Sequence, residues 1–362
     1  MSAAPMTPED LRAGVQAGIL TEAQAASLAA LIQARAGQRA AMPAEDEPFE
    51  FFKGFSEIFI SIGLIILLSG VLALIAWAGG ATIAIVMPLI AAGIAWWWAG
   101  YFTLKRRMNL PSMVLALVFG GGLLIAVTTL VFQSASEPSR MLMVLPPLAA
   151  TLGMAAWYRH FRLPFSMFVL GGFALLTLYA LTTSTDALVG LAIGTRSWGM
   201  NGLFDLRESP AFAFATLGFG IVAFLAGMWF DMRDPHRLGR NAATAFWLHL
   251  LAAFALVNTV AVTLYGSGGM VMLIVALLII TVLALVIDRR SFVSAAIGYM
   301  AVVIVWATGG GNFGSWAFAL LILGALITAI GTWWVQLRGW LMRALPDFPG
   351  KDRLPPYARP DQ

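Results

Sequence analysis

The chain contains no cysteine, which excludes disulfides, thiolate metal sites and cysteine nucleophiles. Charge is scarce as well. Only 11% of the 362 residues are Asp, Glu, Lys or Arg, where a soluble domain carries about 25%. Histidine occurs three times, as His160, His236 and His249. No Walker loop, HExxH pair or GxSxG elbow is present, so the familiar nucleotide, zinc-protease and serine-hydrolase signatures are missing. Alternating ten-residue strands are missing too, and a transmembrane β-barrel is excluded with them.

What fills the chain is apolar sequence: 60% of it is hydrophobic. A water-soluble fold would have no surface to make from such a composition. The expected class is an all-α polytopic transmembrane helical bundle. Its pattern is set by the stretch from Glu57 to Arg107: an apolar run, a Trp-Ala-Gly-Gly turn, a second apolar run, a Trp triplet and Lys105-Arg106-Arg107. The first run, 58–78, carries no charged residue. At about 1.5 Å per residue it crosses a hydrocarbon core of roughly 30 Å.

Repeating this reading along the chain predicts about ten spans, near 58–78, 81–104, 111–132, 141–158, 163–182, 210–230, 242–264, 270–287, 292–308 and 316–336. Four regions are expected: a cytosolic helical hairpin (1–35), a linker and interfacial aromatic segment (36–56), the bundle (57–338) and a cytosolic Pro-rich tail (339–362). The outer turns are short and Gly-rich, as at Gly79-Gly80, Gly266–Gly269 and Gly309–Gly314. One longer outer segment, 183–209, holds an apolar core at 187–194 too short to cross, which leaves a re-entrant or interfacial course open.

Lys and Arg set the orientation. The N-terminal segment, the loops after even-numbered spans and the tail hold all but three of the 22 basic residues; Arg140, Arg196 and Arg207 remain for the other side. Both termini are therefore expected in the cytoplasm. The excess of basic residues serves topology and anionic lipid headgroups, and nucleic acid is not expected as a partner. The first 56 residues are polar and the first apolar run is a full span, so an uncleaved signal anchor is expected rather than a cleaved leader.

The N-terminal segment reads as two short helices. Thr7-Pro8-Glu9-Asp10 starts the first, Gly18 stops it, and Thr21-Glu22-Ala23-Gln24 forms a capping box for the second. Some 30 residues bury too little to stand firmly alone, so a protein partner for this hairpin is expected. The run Asp10-Leu11 with Gly18-Ile19-Leu20-Thr21-Glu22-Ala23-Gln24-Ala25 resembles the opening of a family of uncharacterised bacterial multi-pass membrane proteins, classed as a domain of unknown function. That resemblance implies a bacterial inner-membrane location and brings no activity or site residues.

Polar groups inside the spans are few. His249 admits two readings, a proton or ligand site, or an imidazole hydrogen-bonded across a helix interface. Asn258, nine residues on, faces away from it. Glu57 and Asp186 read as solvated span-edge carboxylates, and Asp288-Arg289-Arg290 as an orienting loop group. Gly120-Gly121-Gly122 and Pro146-Pro147 interrupt adjacent spans, a device transporters use to expose backbone groups. The candidate substrate path or helix-interface positions are thus Gly121, Pro147, His249 and Asn258. Asp231-Met232-Arg233-Asp234-Pro235-His236 reads as a metal loop or, equally, a polar turn. No catalytic constellation or cofactor set is visible, so an enzyme is not expected. The leading expectation is a membrane scaffold, sensor or accessory subunit; the alternative is a transporter or channel for a small or lipid-like substrate.

Overall fold

A computed structural model describes residues 8–21, 23–25, 27–28, 54–77, 83–135, 139–183, 204–234, 239–290, 292, 313–348, 351 and 354–355. The described residues form helices and turns without a strand. In chain order the helices are α1 (Pro8–Gln16), α2 (Phe55–Trp77), α3 (Ile83–Ala99), α4 (Asn109–Ser134), α5 (Arg140–Phe161), α6 (Pro164–Thr182), α7 (Pro210–Asp231), α8 (Arg240–Ile287) and α9 (Phe313–Ala344). A π-helical turn, Gly100–Lys105, extends α3.

Among the described residues seven helices are long and apolar enough to cross a membrane, the last being Arg240–Leu264. This corrects the expected ten. Of the last three expected spans, 270–287 lies in the long run α8, and among the residues whose side chains are described it counts only as the shorter apolar helix Leu278–Ile287. The ninth, 292–308, lies outside the described residues except for Phe292, and the tenth falls in α9, whose side chains are described only in part. The re-entrant expectation at 187–194 and most of the linker also lie outside them.

The run assigned to α8 is 48 residues long. A straight helix of that length would measure about 72 Å. Yet Arg289, two residues beyond its end, donates to the carbonyl of Ala242 at 3.4 Å. The run therefore doubles back, and its two arms lie antiparallel. The midpoint between Ala242 and Arg289 falls at Tyr265 and Gly266, the start of the Gly-rich segment expected to turn. Burial rises from 22% of the apolar stretch in Phe55–Leu74 to 72% in Arg240–Leu264. The first arm of α8 is thus the centre of the bundle and α2 its lipid-facing edge.

Between apolar helices in lipid there is no hydrophobic drive, so close approach must come from small residues. Gly122 shows this best: a Cβ there would sit 2.6 Å from the Pro88 carbonyl of α3. At Gly120 it would meet Phe173 of α6 at 2.5 Å. An aromatic cluster closes the same half of the bundle, with Trp157 fully buried against Phe119, Phe161 and Trp96 at centroid distances of 4.9, 4.5 and 5.6 Å.

Glu57 is not the solvated edge carboxylate the sequence implied. It is 4% exposed and accepts hydrogen bonds from the backbone N–H groups of Asn109 (2.9 Å) and Leu110 (3.1 Å). Helix α4 has no side-chain cap of its own, since its N-cap residue is Met108. A carboxylate from α2 satisfies two orphan donors at a positive helix end and pins the two helices there. At the N-terminus Gly18 follows α1 with φ +70, and Thr21 and Gln24 exchange the expected bonds, Thr21 N–H to Gln24 Oε1 at 2.9 Å and Gln24 N–H to Thr21 Oγ1 at 3.2 Å.

Replacing Glu57 by alanine strands both α4 donors. The expected cost is about 1–2 kcal/mol, by analogy with loss of a helix cap. It should appear as a lower melting temperature of the detergent-solubilised protein, with Glu57→Gln intermediate. An unchanged melt for Glu57→Ala would show that the clamp carries no stability.

Candidate functional site: a buried ionic cluster

Helix α7 ends at Asp231, α8 begins nine residues later, and His249 follows two and a half turns into α8. At Asp288 the chain takes a left-handed conformation (φ 56), which ends α8 and turns Arg289 back toward the bundle. These three elements bring Asp231, His249 and Arg289 together.

The Asp231 carboxylate is the hub. Its Oδ2 lies 2.8 Å from His249 Nε2 and 3.0 Å from Arg289 Nε, while Arg289 Nη2 donates to Oδ1. The guanidinium grips the carboxylate with two parallel bonds, its strongest mode. A carboxylate so held is ionised and only accepts, so His249 Nε2 must carry the donated proton. Asp231 is 4% exposed, and His249 and Arg289 are fully buried. Gly227, one turn before Asp231, makes room for the imidazole: a Cβ would stand 2.9 Å from His249 Cε1. Phe224 and Phe292 enclose the ring edge-on, at 5.6 and 5.9 Å.

A second node adjoins the first. Asp288 Oδ1 accepts from Trp334 Nε1 at 2.7 Å and faces Arg338 Nε at 3.6 Å. Arg338 also donates to the carbonyls of Leu285 (3.2 Å) and Pro355 (2.6 Å). Through Pro355 and the buried Leu354 the C-terminal segment folds back over this end of the bundle. Adjacent residues of opposite sign, Asp288 and Arg289, thus tie α9 and α7 to one turn. The expectation that 288–290 is a loop group is corrected: Asp288 and Arg289 are buried, and only Arg290 is exposed.

Of the four positions singled out from sequence, His249 alone enters this cluster. Gly121 lies on α4 between the two packing glycines, with nothing within 4 Å of where its Cβ would be. Pro147 is buried inside α5; its carbonyl accepts from Thr151 at 2.7 Å, and Thr151 is 3.2 Å from Thr177 of α6. Asn258 is half-buried and donates back to Phe254 O at 2.8 Å. In the Asp231–His236 loop, Asp234 caps α8, accepting from the Gly239 backbone at 2.7 Å, and residues 235 and 236 lie outside the described set. Among the described residues no group of three or more His, Asp or Glu is placed to hold a metal. Sequence reasoning missed Asp231, Asp288, Arg289 and Arg338, although a histidine within a span already called for a partner of this kind.

At the opposite end Tyr179 and Thr216 hydroxyls meet at 2.8 Å, and Leu206 N–H donates to Thr263 Oγ1 at 3.1 Å. Asp205 is held below the ordinary carboxylate range by hydrogen bonds from Arg207. Whatever that pair contributes is present above that range and fades as pH falls through the lowered value.

Compared with family models, with curated proteins and with solved structures, the chain matches none. The resemblance of its opening residues therefore identifies no family, and the chain is a multi-pass helical membrane protein.

Breaking a buried pair leaves an uncompensated charge and costs about 3–5 kcal/mol. Arg289→Ala should therefore sharply reduce the yield and melting temperature of solubilised protein. Combining Arg289→Met with Asp231→Leu removes both charges and should cost much less than the two single changes summed. Additive losses in that double-mutant cycle would show the two residues are not coupled.

Proposed function

We propose that this integral membrane protein is a scaffold, sensor or accessory subunit rather than a conduit. One observation carries the reading. Among the described residues the buried charges Asp231, Asp288, Arg289 and Arg338 are collected at one end of the bundle and matched to one another, while mid-depth interfaces such as Gly120 against Phe173 are filled by side chains. Such a bundle is suited to holding a shape and passing on changes in it. No catalytic role is part of this reading.

The proposed orientation puts the ionic cluster on the cytoplasmic side of a bacterial inner membrane, together with both termini. Glu57 joins the start of α2 to the start of α4, Lys105 ends the π-helical turn beside it, and helix alternation carries Asp231 and Arg289 to the same end. Most basic residues then face the cytoplasm. Arg233 lies 3.5 Å from the ring centre of Trp229, and Arg106 5.6 Å from that of Tyr101. Aromatic and cationic groups paired this way suit an interface with anionic headgroups. The N-terminal hairpin, residues 1–35, is the proposed contact for a protein partner.

The transporter reading rests on the interruptions at Gly121 and Pro147 and on His249; among the described residues nothing lies within 4 Å of where a Cβ at Gly121 would be. Because the chain has no cysteine, single cysteines at Gly121, Pro147 and Asn258 separate the two readings cleanly. With a small water-soluble thiol reagent applied from either side of intact membranes, all three should stay unlabelled while loop cysteines react. Labelling at Gly121 or Pro147 would reveal a hydrated path and replace the scaffold reading with the transporter.

A further inference from the structure

Among the described residues His249 stands in a balanced set of buried charges. Around it the buried groups are Asp231 on α7, Asp288 and Arg289 on the turn after α8, and Arg338 on α9, two carboxylates against two guanidiniums. Asp234 is half-buried, and Arg233, Arg240 and Arg290 are exposed to solvent or headgroups. With a neutral imidazole the buried charges cancel. Histidine is the side chain whose charge changes between pH 5 and 8. A proton added to it would place two cations on the single Asp231 carboxylate, in a site with no exposed surface.

The two cations differ in freedom. His249 sits within α8, walled by Gly227, Phe224 and Phe292. Arg289 sits on a turn beside the exposed Arg290, at the end of the bundle. An imidazolium can take over the carboxylate in place, whereas the guanidinium sits on the turn that ends the helix and can leave with that turn.

We infer that Asp231, His249 and Arg289 form a proton-operated latch: a proton taken up by His249 displaces Arg289 from Asp231 and frees the turn after α8 from the end of α7. The open form holds one more proton than the closed form, so the closed form weakens as pH falls. Because Asp288 on the same turn holds Trp334 and faces Arg338, release also loosens α9 and the C-terminal segment. The input of the sensor is then cytoplasmic acidity, and the output is the position of α9. This rests on the scaffold or sensor reading above.

The test uses the full chain in membrane vesicles open to the reagent on the Arg-rich side. A reporter cysteine replaces Ala245, fully buried and one turn before His249 on the same face. Its labelling rate is normalised at each pH to Ser56→Cys, an exposed position at the same end. Between pH 8 and pH 5.5 the normalised rate should rise about tenfold, with one transition. In His249→Gln, which keeps a donor but does not titrate, it should stay flat. A flat or falling rate with His249 in place overturns the latch, as does an undiminished rise in His249→Gln. Should His249→Gln fail to insert, the reporter with His249 intact still decides. Cysteines at Gly121 and Pro147 in the same vesicles keep the two ideas apart: protection there at every pH leaves the dry-bundle reading standing even when the latch fails.

Discussion

One carboxylate fixes how the C-terminal part of this bundle is put together. Inside a membrane protein a polar group must find its partner within the protein, because lipid offers none. Asp231 is nearly inaccessible, and its two oxygens are shared by a histidine and an arginine from the two ends of one doubled-back helical run. Moving the second arm of α8 by one turn, about 5.4 Å, would leave Arg289 and Asp231 each buried and unmatched. Apolar helices could slide past one another at little cost; this contact sets their register. The adjacent Asp288 extends the constraint to α9 through Trp334.

The N-terminal half solves the same problem with less charge. There, among the described residues, Glu57 supplies the one buried carboxylate, spent on two backbone donors of α4 rather than on a cation. Glycine at 120 and 122, an interdigitated aromatic cluster and the hydroxyl pair Thr151–Thr177 do the rest. Such contacts are individually weak in membranes, of the order of 1 kcal/mol for a polar pair. They act by specifying which faces meet. The two halves therefore differ in kind: one is held by shape, the other by a single charge network that chemistry can alter.

Much of the fold was legible because apolar length is a direct physical requirement of crossing lipid. The first seven runs fall on helices, and the Thr21–Gln24 capping box is present as read. The expected count of ten went further than the described helices do. What sequence could not supply was direction. Glu57, Asp231, Asp288 and Arg289 all lie at or just beyond span ends, where a charge facing water and a charge facing inward look identical in one dimension. Trp334 was equally opaque. A Trp pair near a helix end reads as an interfacial belt, yet Trp334 is 3% exposed and donates to Asp288, while only Trp333 beside it, at a break in helical geometry, is exposed. His249 was the one visible clue, because a buried imidazole needs a partner and none of its own helix neighbours could serve.

The placement of the charges also bears on why such a network persists. Burying an ion pair seldom adds stability over a well-packed apolar core. Stability alone would therefore be served as well by leucine and methionine at 231 and 289. What the apolar alternative lacks is a second state. An apolar contact strengthens or weakens only with packing, whereas a carboxylate shared between an arginine on a turn and a histidine within a helix has two ways of being neutralised. Bistability of this sort needs the competing cations to differ in freedom and only one of them to titrate near neutral pH. Arginine on the turn and histidine in the helix meet both conditions; exchanging the two would fix the permanent charge within the helix and leave the switchable one on the turn.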